Sequence, residues 1–257
     1  MQFEFVVADW AAYADGLTTK SEWLTWAHGE AHLPSSVVAQ MPALSEVGAM
    51  MRRRIDRLGR LACQVAYWCQ SSAPGVPLVF ASRYGDASRS LALLGDLVQS
   101  EPLSPTGFAL SVHNAVAALY SIARGDLGNA VVVAGCCGTA CAALIEARAL
   151  LAEGAPEVLV VCYDAPLPDS YAHFAPESGV EFAWAWRVVS PGNGIEGQRV
   201  CLSLDSDVDV RNLSTGTWPE GLSVLRWLLR QHAVADDGEV CAHPVRPGVT
   251  SVWSSHA

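Results

Sequence analysis

The chain of 257 residues is 51% hydrophobic and 16% charged, which excludes a disordered or purely polar chain and allows a substantial core. Its net charge of −10 excludes a nucleic-acid footprint, which needs clustered basic residues, and speaks against an acidic carrier protein docking over much of the surface. The apolar excess implies surface covered by another chain.

The opening MQFEFVVADWAAYADG has no basic residue before Lys20, unlike a secretory signal. No run of about 18 uncharged apolar residues occurs, so no membrane span is expected and the chain reads as cytoplasmic. From Ser45 to Gln70, Val47, Met51, Ile55, Leu58, Ala62, Val65 and Cys69 recur at steps of three and four, the face of one amphipathic helix. Arg52, Arg53, Arg57 and Arg60 lie on its other side. GVPLVFAS (75–82) reads as a buried strand, and Asp86 or Ser88 can cap a helix through SLALLGDLVQ. A proline-bearing loop then leads to a mostly apolar helix over 108–124 that stops at Gly125, as a central or interface helix would. A strand at 130–134, a helix from Gly138 to Leu151 and a strand at 157–164 follow in β-α-β order, which implies parallel strands. Residues 180–188 alternate as a half-buried strand, and 198–206 reads as a strand antiparallel to it. A short amphipathic helix over 220–232 and a final edge strand, GVTSVWSS, complete a chain that reads as one α/β domain over 1–257.

Eight cysteines lie mostly in apolar runs with no CxxC pair, as buried reduced thiols do. Cys137, at a strand-to-helix junction, is placed where a helix dipole favours a thiolate. The plainer reading makes Cys136, Cys137 and Cys141 small packing residues, and a third makes Cys136 and Cys137 a vicinal disulfide. His113 is the histidine near enough in sequence to serve as a base. Yet His113 and Asn114, interrupting an apolar helix, also suit a polar lock or an interface contact. The arginines of MRRRIDRLGR read as a solvated face or ion pairs. His173 and His243 lie in proline-flanked loops without metal-ligand spacing, and no phosphate-binding glycine loop is present, so neither a metal nor another cofactor is expected.

The segments HNAVAALYSIARGDLG and GNAVVVAGCCGTACAALIEARALLAEGAPEVLVVCYD resemble the first half of a β-ketoacyl synthase. MRRRIDRLGRLACQVAYW, VFASRYGD, LSPTGFALSVHNAVAALYSIARGD and WPEGLSVLRWLL are similar to the short chain-length-factor-like subunits of aryl polyene biosynthesis. The resemblance implies a truncated thiolase-like layered α/β domain, corresponding to the synthase N-terminal half, with a mostly parallel central sheet. Counting from Gly128, it sets Cys137 at the family's nucleophile position and Ala140, Ala143 and Ala147 on the small-residue helix behind it. A working synthase draws two histidines from its second half, in motifs of the types EAHGTGT and GFGGHN that this sequence lacks. Cys137 is therefore expected to be vestigial, and the chain to be a non-catalytic partner of a full β-ketoacyl synthase in polyene or polyketide biosynthesis. The expected assembly is a heterodimer whose acyl chain, on its carrier protein, is held mainly by the partner. The alternatives are a cysteine-dependent acyltransferase or thioesterase using Cys137, with His113 as base, and a pure scaffold of the synthase. Phe108 and His113 are expected to border the acyl tunnel, with Asn114, Tyr120 and Cys136 as further tunnel or interface candidates. On a continuous helix Leu110, His113 and Ala117 would share one line, and Val112, Val116 and Tyr120 another.

Overall fold

The computed structural model describes residues 1–29, 33, 40–175, 179–206, 218–231 and 240–255. In chain order the elements are β1 (Gln2–Tyr13), α1 (Lys20–His28), α2 (Ala49–Arg52), α3 (Arg57–Cys69), β2 (Leu78–Ala81), α4 (Ala87–Val98), α5 (Pro105–Ala109) and α6 (Ala115–Arg124). There follow β3 (Ala130–Val133), α7 (Thr139–Ala152), β4 (Val158–Asp164), a 3₁₀ turn (Asp169–Phe174), β5 (Phe182–Val189), β6 (Gln198–Asp205), α8 (Glu220–Gln231), β7 (Cys241–Arg246) and β8 (Val249–Ser255).

The strands form one mixed sheet in the order β3-β2-β4-β5-β1-β6-β8-β7. The layered α/β class is as expected, but the sheet is not mostly parallel. Among the described residues only β3-β2 and β2-β4 run parallel, and the pairs from β4 to β7 are antiparallel. The helical crossovers that parallel pairing requires connect β2, β3 and β4 alone. Contrary to the sequence expectation, β6 does not pair with β5, because β1 lies between them. Nor is β8 the edge, since β7 pairs with its outer side.

Strand β1 contains a β-bulge between Val7 and Asp9. One extra residue swaps the parity of the strand. Phe5 and Val7 therefore share a face with Trp10 and Ala12, over the core made with α1, α7 and α8. Ala11 and Tyr13 face the opposite core, made with α3 and α6. Strand β5 is buried on both faces rather than half-buried: Trp184 and Trp186 fill the first core, while Ala183 and Ala185 leave room for the second.

Two helices expected to be continuous are interrupted. The 45–70 pattern divides into α2 and α3, because Asp56 accepts from the Gly59 amide at 2.8 Å and starts a new helix. Ile55 remains buried through the turn, which keeps the apolar spacing intact. The 108–124 segment divides into α5 and α6 around residues 110–114, so the two side-chain lines drawn on it do not exist as helical faces. Gly125 ends α6 in the left-handed region, φ 64°, as expected.

Candidate functional site

The C-terminal ends of β3, β2 and β4 lie side by side and deliver Cys136 and Cys137, Ser82 and Arg83, and Asp164 to one end of the sheet. The turn after β3 is built on two glycines that tolerate no side chain. A Cβ on Gly135 would lie 2.3 Å from the Gly138 carbonyl oxygen, and one on Gly138 would lie 2.2 Å from Val245 Cγ1. Between them Cys136 adopts φ 52°, in the left-handed region. Cys136 is exposed and Cys137 half-buried, and their sulfurs stand 3.8 Å apart without a disulfide. The Arg83 guanidinium donates to Cys137 Sγ at 3.7 Å.

The start of α7, expected to favour a thiolate, is occupied from within. Buried Glu220, at the start of α8, accepts from the Ala140 amide at 2.7 Å and the Cys141 amide at 3.0 Å. A carboxylate at this position neutralises the positive end of the helix. It also helps hold Cys141 as a thiol: burial first, and then the charge of Glu220, push it up to about 12. The carboxylate is aimed by close packing of α8. A Cβ on Gly221 would meet Cys162 Sγ at 2.8 Å, and Trp184 Nε1 donates to the Gly221 carbonyl at 2.8 Å. Glu220 was not among the residues expected to matter; its sole sequence signal is an acidic residue after a proline at a helix start.

Asp164 anchors the loop after β2. It accepts from Ser82 Oγ at 2.8 Å and from the Arg83 amide at 2.9 Å. Burial raises this carboxyl to about 6, against the pull of those hydrogen bonds. His113 is tied to the same loop: its Nε2 lies 2.9 Å from the Ser82 carbonyl oxygen, and its ring fills the space where Gly85 lacks a Cβ. Thus His113 acts as the polar lock between the 110–114 turn and β2, the role its setting allowed. His113 Nε2 pairs with the Ser82 carbonyl oxygen, while Arg83 donates to Cys137 Sγ.

Phe108 is 65% exposed, and Asn114 is exposed at the start of α6. Tyr120, by contrast, is fully buried between Tyr67 and Phe80 with its hydroxyl on Gln70, so it is a core residue rather than an interface candidate. Its aromatic ring and hydroxyl both find partners inside the chain, which removes it from the surface. His243 lies on strand β7, not in a loop; burial pushes it down to about 4. His173 lies in the 3₁₀ turn against Phe174, ring centroids 3.9 Å apart. Among the described residues no three His, Cys, Asp or Glu side chains converge as a metal site.

Among the described residues one apolar face stands uncovered. Helix α4 is rich in leucine yet buries none of its residues, and α5 likewise buries none. Leu94, Leu97, Phe108, Val112, Ile122 and Leu127 are all exposed. Beside them, among the described residues, β3, an Ala-Val-Val-Val edge strand, pairs on one side only.

The family model for the β-ketoacyl synthase N-terminal domain matches residues 23–242. No curated protein matches the sequence. Among solved structures, the chain is similar to one in the ketosynthase (ApeO) in complex with its chain length factor (ApeC) from Xenorhabdus doucetiae. There the identity is 24%, the TM-score 0.80, and the match covers 98% of this chain and 99% of that one. It is similar to a chain of the ishigamide ketosynthase/chain length factor at 15% identity and TM-score 0.74, covering 98% and 99%. A chain of AntDE:AntF, a type II acyl-carrier protein in complex with its ketosynthase bound to the hexaketide, matches at 11% identity and TM-score 0.63, covering 100% of both. At these identities the likeness is one of fold.

Proposed function

Since the chain belongs to the β-ketoacyl synthase N-terminal domain family, we propose that it is a non-catalytic, chain-length-factor-like subunit that pairs with a full β-ketoacyl synthase in polyene or polyketide biosynthesis. The observation that carries the reading is the uncovered apolar face of α4, α5, α6 and β3. An exposed leucine-rich helix beside an unpaired strand edge is unfavourable in water and favourable against a partner. Two solved structures of this fold pair a ketosynthase with a chain length factor, and in both the matched chain is covered almost end to end.

The chemistry of the turn agrees. Cys137 has a cation beside it, but the amides at the start of α7 are engaged by Glu220, and His113 is bonded to Ser82. The base expected of a Cys137 acyltransferase is thus committed elsewhere, which favours a vestigial nucleophile position. Exposed Phe108, on the uncovered face, is the residue best suited to reach into a partner's acyl tunnel, with His113 holding the turn behind it. The acyl chain on its carrier protein is held mainly by the synthase. The whole chain acts as one domain in the cytoplasm; among the described residues no helix is long and apolar enough to cross a membrane.

Co-expression with a full β-ketoacyl synthase from the same organism tests this. The expected result is a one-to-one complex that makes product, and loss of product when the partner's cysteine is replaced. A stable monomer with no affinity for that synthase overturns it.

A further inference from the structure

The Cys136-Cys137 turn carries two thiols side by side. We propose that this pair is an oxidation site, a dithiol in which Cys137 reacts with a hydroperoxide and Cys136 resolves the product into a vicinal disulfide. The inference goes beyond synthase pairing and does not depend on it.

Three features converge on the turn. The sulfurs lie 3.8 Å apart, Cys136 is exposed to solvent, and the Arg83 guanidinium donates to Cys137 Sγ at 3.7 Å. A cation beside a sulfur favours the thiolate, which is the form that attacks. An accessible thiolate with a second thiol in reach is the arrangement of a reversible redox site. Other thiols are held inert: burial pushes Cys69 and Cys141 up to about 12, and it raises Cys63 and Cys162 as well.

The steps balance. The Cys137 thiolate attacks one oxygen of the hydroperoxide; an S–O bond forms, the O–O bond breaks, and the other oxygen leaves as an alcohol or water after taking a proton. Cys137 is then a sulfenic acid. The Cys136 sulfur attacks the Cys137 sulfur, the S–S bond forms, and the S–O bond breaks. Hydroxide departs as water with the proton from Cys136. Two thiols and one hydroperoxide give one disulfide, one alcohol or water, and one water.

The geometry also makes the product easy to reverse. Neighbouring residues hold their Cα atoms about 3.8 Å apart, less than the roughly 4.4–6.8 Å usual across a disulfide. The ring is therefore strained, and strained, exposed disulfides are the readily reduced ones. Cys136 already occupies the left-handed region, φ 52°, so the turn is displaced from ordinary backbone before it closes.

The test treats the full chain, in whatever assembly it purifies, with limiting hydrogen peroxide and reads intact and peptide mass. The peptide carrying both cysteines should lose the mass of two hydrogens, and dithiothreitol should restore it. In Cys136→Ser, Cys137 should stop at the sulfenic acid and be captured by dimedone. Arg83→Gln should slow the oxidation by roughly tenfold, the scale of removing one adjacent charge, while Arg83→Lys should stay near the wild-type rate. Thermal unfolding of each variant establishes that it is folded. The proposal is overturned if another cysteine oxidises first, or if wild type and Cys136→Ser accumulate the same sulfenic acid. It is also overturned if folded Arg83→Gln oxidises at the wild-type rate.

Discussion

The Glu220 carboxylate lies 2.7 Å from the Ala140 amide nitrogen, so a side chain 80 residues further along the sequence closes the start of helix α7. Gly138, the residue in the capping position, offers no side chain for the purpose. The negative end of this contact is buried, which makes it strong and makes its loss costly.

Replacing Glu220 with Ala should lower unfolding stability by about 2 kcal/mol, the loss of a cap together with two buried amides left without acceptors. Glu220→Gln should cost less, because an amide oxygen still accepts. Urea unfolding measures both, and equal midpoints for the wild type and Glu220→Ala would contradict the capping role.

The buried carboxyl of Asp164 predicts a pH dependence. Its value in the folded chain, about 6, lies above the ordinary carboxyl range, so the group favours folding when protonated. That contribution is fully present below about pH 4 and is lost as pH rises through about 6. Wild-type stability should therefore carry a falling component between pH 4 and 7 that Asp164→Asn lacks. If the two stability-against-pH curves differ by a constant, Asp164 does not titrate there.

Charges placed on the uncovered face should separate folding from pairing. Leu97 and Ile122 are 58% and 63% exposed, so Leu97→Glu and Ile122→Glu should change the stability of the isolated chain by less than about 0.5 kcal/mol. The same variants should reduce recovery of the synthase complex at least tenfold. Size-exclusion chromatography of co-expressed pairs reads the outcome, and complexes that survive both changes would assign the face to something else.

In the complex, Phe108→Ala should lengthen the product, visible as red-shifted absorbance and a heavier mass. A closed pocket discriminates each methylene by roughly 1–3 kcal/mol. Tyr120→Phe should leave product length alone and cost about 1 kcal/mol of stability, because it removes a buried hydroxyl bonded to Gln70. Cys137→Ala should keep product formation within a few-fold. A loss of roughly 10³-fold would instead mark a catalytic thiol.

Much of the parallel portion of the fold was legible in the sequence. The run from Ala130 through Ala152 to Asp164 carries unbroken apolar strands and a glycine-flanked helix, and its boundaries fall where the pattern sets them. Strand β1 was not legible, because the bulge at Val7 and Asp9 destroys the period of two on which strand reading depends. The broken helices were hidden for the opposite reason: Ile55 stays buried through its turn and preserves a helical spacing that the backbone abandons. At the site, Cys136, Cys137 and His113 stood out by residue type. Arg83 and Glu220 could not, since their roles arise only when β2 and α8 meet the turn after β3.

The central position of β1 carries a consequence for how the chain is made. Its two partners, β5 and β6, are separated from it by most of the polypeptide; Val6 pairs with Val189 on one side and Arg199 on the other. On a ribosome β1 must wait, its two long-range pairings unmade, until the chain has emerged as far as β6. Pairings this distant in sequence raise the entropic cost of closure and slow folding. During that interval β1 is open to misassociation with other nascent chains.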